Sequence, residues 1–160
     1  MDFSSAREAA NDPRILMFGR LLGAASRLEY LLGKSLEESV GISHAVFEVL
    51  LLVGRAGERG VPVRDIAQSR VLTSGGATRL VSRAEELGLI DRQPSPDDGR
   101  VQLVRLTAHG EQIVKDASAL HVANIERYLV DALAPGDEAA FGEALRAIST
   151  NAARALPVMP

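Results

Sequence analysis

Apolar side chains recur at helical spacing over the first third of the chain. Between about Pro13 and Ser39 they follow one another three or four residues apart, which gathers them on one face of an α-helix. Residues 1–12 precede this helix as a polar tail that can hold one helical turn. Gly41 ends the predicted helix, and Ser43 is placed to cap a second one that continues through Val53. The apolar positions of the first helix are Phe18, Leu21, Leu22, Ala25, Leu28, Leu32 and Leu36.

The same spacing returns in the last third. Thr107 is placed to cap a long helix that reaches about Leu133, after which Pro135-Gly136 interrupts the pattern. A last helix is predicted from about Asp137 to Leu156, and the tail of residues 157–160 cannot continue it because it begins and ends with proline. One face of this last helix carries Phe141, Leu145 and Ile148.

The central segment, residues 61–107, contains shorter elements. Pro62 suits the start of a short helix over Val63–Ser69, which is too short to be stable unless it packs against another element. A turn of a few residues, Arg70 to Leu72, leads to a longer helix at residues 74–87, for which Thr73 is a suitable N-cap. Two helices joined by such a turn are typical of a helix-turn-helix.

The longer of these two helices has two chemically different faces. On a wheel of about 100° per residue, its apolar residues fall within an arc of roughly 120°. These are Ala77, Leu80, Val81, Ala84 and Leu87. The opposite face carries hydroxyls and guanidinium groups, which donate hydrogen bonds to phosphates and base edges of DNA. Taken alone, this helix is equally compatible with an ordinary solvated face. The polar positions are Ser74, Gly75, Thr78, Arg79, Ser82 and Arg83.

A β-hairpin is predicted directly after Gly88, which is placed as the C-terminal glycine of the longer helix. Its arms are Leu89–Gln93 and Arg100–Leu106, joined by a segment rich in Pro, Ser, Asp and Gly. An arginine at the tip, Arg100, can enter a narrow minor groove, although it is also compatible with a solvated turn. Asp98 is expected to orient the tip and Arg100, because phosphates repel a carboxylate. The predicted fold is therefore mainly α with a small β-hairpin wing, a winged helix-turn-helix.

These motifs resemble the DNA-binding core of the multiple antibiotic resistance regulator (MarR) family of bacterial transcription factors. The resemblance rests on SGGATRLVSRAEELGLIDR, then D-x-R at Asp98 to Arg100, then VRLT before a long helix. Gly99 is a departure, since many members carry a second arginine there. The resemblance extends over nearly the whole chain and implies a ligand-responsive repressor that binds a palindromic operator as a homodimer.

The resemblance also implies a division of the chain and a site for an effector. We expect one domain over residues 1–160, with a DNA-binding lobe at 42–107 and dimerisation helices at 13–39 and 108–156. The end helices need a partner surface for their apolar faces, which a two-fold dimer supplies, although a monomer whose end helices cover the core is the alternative. Relatives bind aromatic or phenolic compounds between these parts. The residues of this chain in the corresponding segments are Arg20, Arg27, Tyr30, His44 and Phe47.

Composition further restricts the classes of function that the chain can have. The net charge of −3 does not by itself suggest a DNA-binding protein, but residues 61–107 contain seven arginines and six acids. The chain has no cysteine, which excludes disulfides and thiol-based sensing. No apolar run is long enough to span a membrane and no secretory signal is evident, so we expect a cytoplasmic protein.

No constellation of residues indicates an enzyme. The three histidines, His44, His109 and His121, are far apart and form no metal-binding motif, so we expect structural histidines, no metal site and no cofactor. We therefore predict a sequence-specific regulator that binds double-stranded DNA. The alternative is a winged-helix module that binds another protein, which the arginine-bearing face disfavours because interface cores are richer in large apolar side chains.

Overall fold

Seven α-helices and three short strands form the described part of the protein. The structure is a computed structural model that describes residues 2–69 and 73–156, without the side chain of Ser74. The predicted turn at Arg70–Leu72 and the tail at 157–160 lie outside these residues. In chain order the elements are α1 Ala6–Ala10, α2 Pro13–Val40, α3 His44–Ala56, β1 Val61–Pro62, α4 Val63–Ser69, α5 Ser74–Glu86, β2 Ile90–Pro94, β3 Gln102–Leu106, α6 Ala108–Tyr128 and α7 Glu138–Ala155.

The predicted helix caps are confirmed. In three helices the hydroxyl of the capping residue accepts a hydrogen bond from the backbone N–H three residues on, which satisfies a donor that the first helical turn leaves unpaired. The pairs are Ser43 with Val46 at 3.3 Å, Thr73 with Gly76 at 3.1 Å, and Thr107 with Gly110 at 3.0 Å. The bounds of these helices therefore follow from local sequence.

The sheet differs from the predicted hairpin in an added strand and in the start of its second arm, which begins at Gln102 instead of Arg100. Strands β2 and β3 pair antiparallel as expected, but β1 adds a third strand on the other side of β3. Val61 lies opposite Val104, and Pro62 lies opposite Leu103. Pro62 was predicted only to start a helix, and it also ends an edge strand, where its missing N–H is tolerated.

One helix bound near the C-terminus also differs from prediction. The helix predicted to reach Leu133 ends at Tyr128, and a short 3-10 helix follows at Val130–Ala132. The next helix, α7, spans Glu138–Ala155, close to the predicted range. α7 buries none of its residues against the rest of the described chain.

Helix α3 lies at the centre of the core. Five of its apolar side chains are buried, and the small apolar face of α5 packs against it as the wheel predicted. Val104 of β3 and Ala117 of α6 complete this core from two further elements. The buried residues of α3 are Val46, Phe47, Val49, Leu50 and Val53, and those of α5 are Ala77, Val81 and Ala84.

Among residues 2–69 and 73–156, no single helix is long and apolar enough to span a membrane. By length and composition alone, α2 and the segment His44–Arg59 together would be long and apolar enough to span a membrane. The two segments are bent by 82° relative to each other.

A close backbone contact joins the wing to α6. A side chain at Gly110 would place its Cβ 1.9 Å from the carbonyl oxygen of Leu89, so only glycine fits there. The same carbonyl accepts a hydrogen bond from the N–H of Thr107 at 3.0 Å. The hydroxyl of Thr107 also donates to the carbonyl of Gly88 at 2.7 Å. This junction fixes how α6 leaves the winged lobe.

We expect Gly110→Ala to destabilise the protein. Alanine in a helix is ordinarily about 1 kcal/mol more favourable than glycine, but here the added methyl group must displace backbone. We expect a net loss of about 2 kcal/mol or more in the free energy of unfolding, and a Tm lower by roughly 4–8 °C. Thermal unfolding followed by circular dichroism measures this. Gly75→Ala, where the Cβ meets nothing within 4 Å, is the control, and an equal loss there would contradict the account.

Candidate nucleic-acid interface

The polar face of α5 is presented to solvent. Gly75, Thr78, Arg79 and Arg83 are exposed, and Ser82 is half-buried. Residues four apart on a helix are neighbours, so Arg79 stands beside Arg83 and Thr78 beside Ser82. The face is outward because the opposite side of α5 is buried on α3. The backbone of Ser74 begins the helix, and its side chain lies outside the described atoms.

One arginine of this face is paired within its own helix. Nη1 of Arg83 lies 3.3 Å from Oε2 of Glu86, and both side chains are mostly exposed. Exposed ion pairs contribute roughly 0–1 kcal/mol, because water and salt screen them. The pair is therefore weak enough for Arg83 to exchange the carboxylate for a phosphate.

Arg92 ties the wing to α5. Its Nη2 donates to Oγ of Ser82 at 2.7 Å and lies 3.0 Å from Oε2 of Glu85. The hydroxyl of Ser82 accepts this bond and keeps its own hydrogen for another acceptor. Sequence reasoning counted Arg92 only as a charge. Its position two residues after the buried Ile90, on the same side of β2, is a signal that could have found it.

The tip of the wing is held by short-range hydrogen bonds. Oδ1 of Asp98 accepts from the backbone N–H of Arg100 at 3.0 Å, and the carbonyl of Asp98 accepts from Val101 at 2.9 Å. The N–H of Ser95 donates to the carbonyl of Val101 at 2.8 Å, which closes the turn. Arg100 is exposed at this tip. The carboxylate therefore stands where the predicted orienting role of Asp98 requires it.

A cleft of about 380 Å³ lies apart from this face, between α2, α3 and α6. Its polar lining includes Glu29, His44, Glu48 and His121. Its apolar lining includes Leu28, Leu32, Ile125 and Leu129. A cleft with apolar walls and a few polar groups is the usual form of a small-molecule site.

The five residues predicted to bind an effector are not brought together. His44 lines the cleft, and Phe47 is fully buried beside it. Tyr30 is 69% exposed and lines a neighbouring groove on α2. Arg20 and Arg27 are exposed on α2 and do not line the cleft, and the Arg27 guanidinium lies along its own helix against Gly23. Their role in binding an effector stays a prediction.

His44 and His121 are neighbours, although they are far apart in sequence. Their ring centroids are 5.4 Å apart in a stacked arrangement, and the ring of Phe47 meets His121 edge-on at 5.1 Å. Burial lowers the pKa of His121, the charge of His44 lowers it further, and Glu48 opposes both. His121 therefore favours the neutral imidazole near neutral pH. Periodicity within one helix gives no signal for a pair formed across two helices.

Comparison with known proteins shows the family. A model of the MarR family matches residues 40–101, which contain α4, α5 and the first strand and tip of the wing. YdgJ of Bacillus subtilis, an uncharacterized HTH-type transcriptional regulator, is 30% identical over 115 residues. That match covers 65% of this chain and 69% of the relative.

Two solved structures are similar over most of their length. Mutant MarR from E. coli, complexed with operator DNA, is 25% identical with a TM-score of 0.73, covering 84% of this chain and 95% of that chain. CouR from Rhodococcus jostii RHA1, bound to p-coumaroyl-CoA, is 26% identical with a TM-score of 0.71, covering 87% and 92%. The chain, with its winged helix-turn-helix and the motifs quoted from its sequence, belongs to the MarR family of DNA-binding transcriptional regulators.

Proposed function

We propose that this regulator binds a palindromic operator as a homodimer, with α5 in the major groove and the wing in the minor groove. The observation that carries the proposal is the orientation of α5. Its small apolar residues are buried on α3, so its hydroxyls and arginines face outward beside the wing. Relatives of similar fold include a MarR protein complexed with operator DNA.

The major-groove contacts come from the polar face of α5. We assign base and backbone contacts to Ser74, Gly75, Thr78, Arg79, Ser82 and Arg83. Arginine can bind guanine through two hydrogen bonds, and hydroxyls bind either bases or phosphates. Gly75 has no side chain, which lets the backbone approach DNA. Arg92 of the wing supports this polar face indirectly, because it binds Ser82 and Glu85 of α5.

The minor-groove contact comes from Arg100. A narrow minor groove has an enhanced negative potential that attracts a guanidinium group. Asp98 positions the backbone of Arg100, because its carboxylate accepts the N–H of that residue. Because the minor groove presents a degenerate pattern of hydrogen-bond donors and acceptors, Arg100 contributes mainly affinity.

The homodimer accounts for the apolar surface at both ends of the chain. Phe18 on α2 is 58% exposed and Ile148 on α7 is 54% exposed, although large apolar side chains are ordinarily buried. α7 covers no core residue, which argues against end helices that only close a monomer. We therefore assign residues 13–39 and 108–156 to the dimer and residues 42–107 to the DNA-binding lobe. Further exposed apolar residues on these helices are Ile15, Leu16, Met17, Leu22, Leu31 and Leu145.

The cleft between α2, α3 and α6 is the site that we assign to an effector. CouR, a relative, was crystallised with p-coumaroyl-CoA, and a compound with an aromatic or phenolic group suits apolar walls with a few polar side chains. Such a ligand would relieve repression by binding the DNA-competent and incompetent dimers with different affinity. The protein acts by binding and not by catalysis, and we place it in the cytoplasm with the DNA it regulates.

Alanine variants test the docking of α5 and the wing. We expect Arg79→Ala and Thr78→Ala to weaken binding and to change which bases are preferred. We expect Arg100→Ala to weaken binding similarly for all sequences. Loss of a base contact costs about 1–3 kcal/mol, and loss of a phosphate contact lowers the salt slope by about 1. In vitro selection of duplexes followed by fluorescence anisotropy measures both effects.

Arg146→Ala is the matched control for these variants. It removes the same charge from α7, away from the winged lobe. If it weakens binding as much as Arg79→Ala and Arg100→Ala, net charge and not docking determines affinity, and the proposed arrangement is wrong.

A charge on the apolar face of α7 tests the dimer. We expect Ile148→Glu to shift the sedimentation mass at micromolar concentration from the dimer to the monomer, because the carboxylate would be buried without a partner. The control is Arg146→Glu on the nearly opposite face of the same helix. A wild-type protein that sediments as a monomer would contradict the dimer directly.

A further inference from the structure

We propose that His44, Glu48 and His121 form a site for a divalent transition-metal ion, for which Zn²⁺ is the best match. The three side chains meet at the polar end of the cleft and connect α3 to α6. This site is absent from the sequence-based prediction, which treated the histidines as separate structural residues. We infer the binding of the ion from the geometry alone, whereas an effect of the ion on DNA affinity rests on the proposed function.

The separations of the donor atoms are close to those of a metal site. Each residue offers one candidate ligand atom, and all three atoms lie within 4.8 Å of one another. Nε2 of His44 is 3.5 Å from Oε1 of Glu48. Zinc bonds of about 2.0–2.1 Å in a tetrahedral arrangement separate two ligand atoms by roughly 3.3 Å. The pair on α3 therefore has the required spacing, and His121 completes the site after a side-chain movement of at most about 1.5 Å.

The backbone holds these side chains on two rigid helices. His44 and Glu48 are one turn apart at the beginning of α3, directly after the Ser43 cap, and therefore share one face of the helix. His121 projects from α6, and its ring is packed against the buried ring of Phe47. Ligands placed on regular elements keep their geometry better than ligands on loops.

A nitrogen of His121 that lacks a partner in the described part of the chain also suits an ion. Nδ1 of His121 is buried and has no hydrogen-bond partner among the described residues. A buried polar atom without a partner costs free energy, and coordination through Nδ1 would remove that cost.

The set of ligands indicates which ion the site binds and which further ligand that ion can accept. Two imidazoles and one carboxylate suit Zn²⁺, Co²⁺ or Ni²⁺ better than the oxygen-seeking Ca²⁺ or Mg²⁺. Three protein ligands leave a fourth position open, and the cleft adjoins it. A water molecule or an anionic group of a small molecule can occupy that position. The ion would join α3 of the DNA-binding lobe to α6, and so would favour one orientation of the lobe.

Titration of the metal-free full chain, without a histidine tag, tests the site. We expect isothermal titration calorimetry with Zn²⁺ to show one ion per chain. Removal of a second-shell residue typically costs 10–100-fold in affinity, so we expect at least a tenfold loss in Glu48→Gln and in His121→Gln. Co²⁺ bound to the wild type should show the visible absorption bands of a tetrahedral complex, and these should be lost in both variants.

His109→Gln is the matched control, because His109 is an exposed histidine on the same helix. We expect its affinity for Zn²⁺ to equal that of the wild type. Failure of the wild type to bind Zn²⁺, or an equal loss in all three variants, would overturn the proposal. Thermal unfolding of the metal-free variants identifies any that misfold, and Glu48→Gln, which keeps the shape of the side chain, then decides the question.

DNA affinity is measured separately, with and without Zn²⁺. A change on adding Zn²⁺ in the wild type that Glu48→Gln abolishes supports regulation by the ion. DNA affinity that Zn²⁺ leaves unchanged contradicts that regulation. The metal site is then judged by the calorimetric titration, and DNA binding by the anisotropy measurements.

Discussion

The burial of a small apolar face of α5 against α3 is the contact on which DNA recognition depends. Ala77, Val81 and Ala84 are fully buried, and their small size lets the two helices approach closely. A helix has only one opposite face, so this packing leaves the hydroxyls and arginines of α5 outward. The wing is then fixed to the same helix by Arg92, which binds both Ser82 and Glu85. Arg92 therefore holds α5 and the wing together as one unit.

The junction around Gly110 connects this unit to the rest of the molecule. The carbonyl of Leu89 meets α6 without room for a side chain, and the hydrogen bonds of Thr107 hold the start of α6 against the lobe. The cleft lies between this same α6, α2 and the central helix α3. A ligand or ion in the cleft would therefore touch both the lobe and the helices assigned to the dimer, and differential binding there would be the physical route to the proposed regulation.

Local chemistry made much of the fold predictable. The caps Ser43, Thr73 and Thr107, the turn glycine Gly88 and the two faces of α5 follow from residues within one or two turns. The two-residue strand β1 was missed because so short a segment has no periodicity. The bridge from Arg92 was missed although the alternation along β2 carries a signal for it. The cluster of His44 with His121 was missed because only packing brings α3 and α6 together. The effector residues came from a family resemblance, and of the five only His44 lines the cleft.

The most direct test of sequence-specific recognition is fluorescence anisotropy with the duplex from immediately upstream of the protein's own coding sequence. A scrambled duplex of equal length and composition is the comparison, at about 150 mM salt and at lower salt. Specific complexes are typically at least 10³-fold tighter than nonspecific ones, and phosphate contacts strengthen as salt falls. We expect nanomolar binding to the natural duplex and much weaker binding to the scrambled one. Equal, weak binding to both, and to duplexes recovered by in vitro selection, would contradict it.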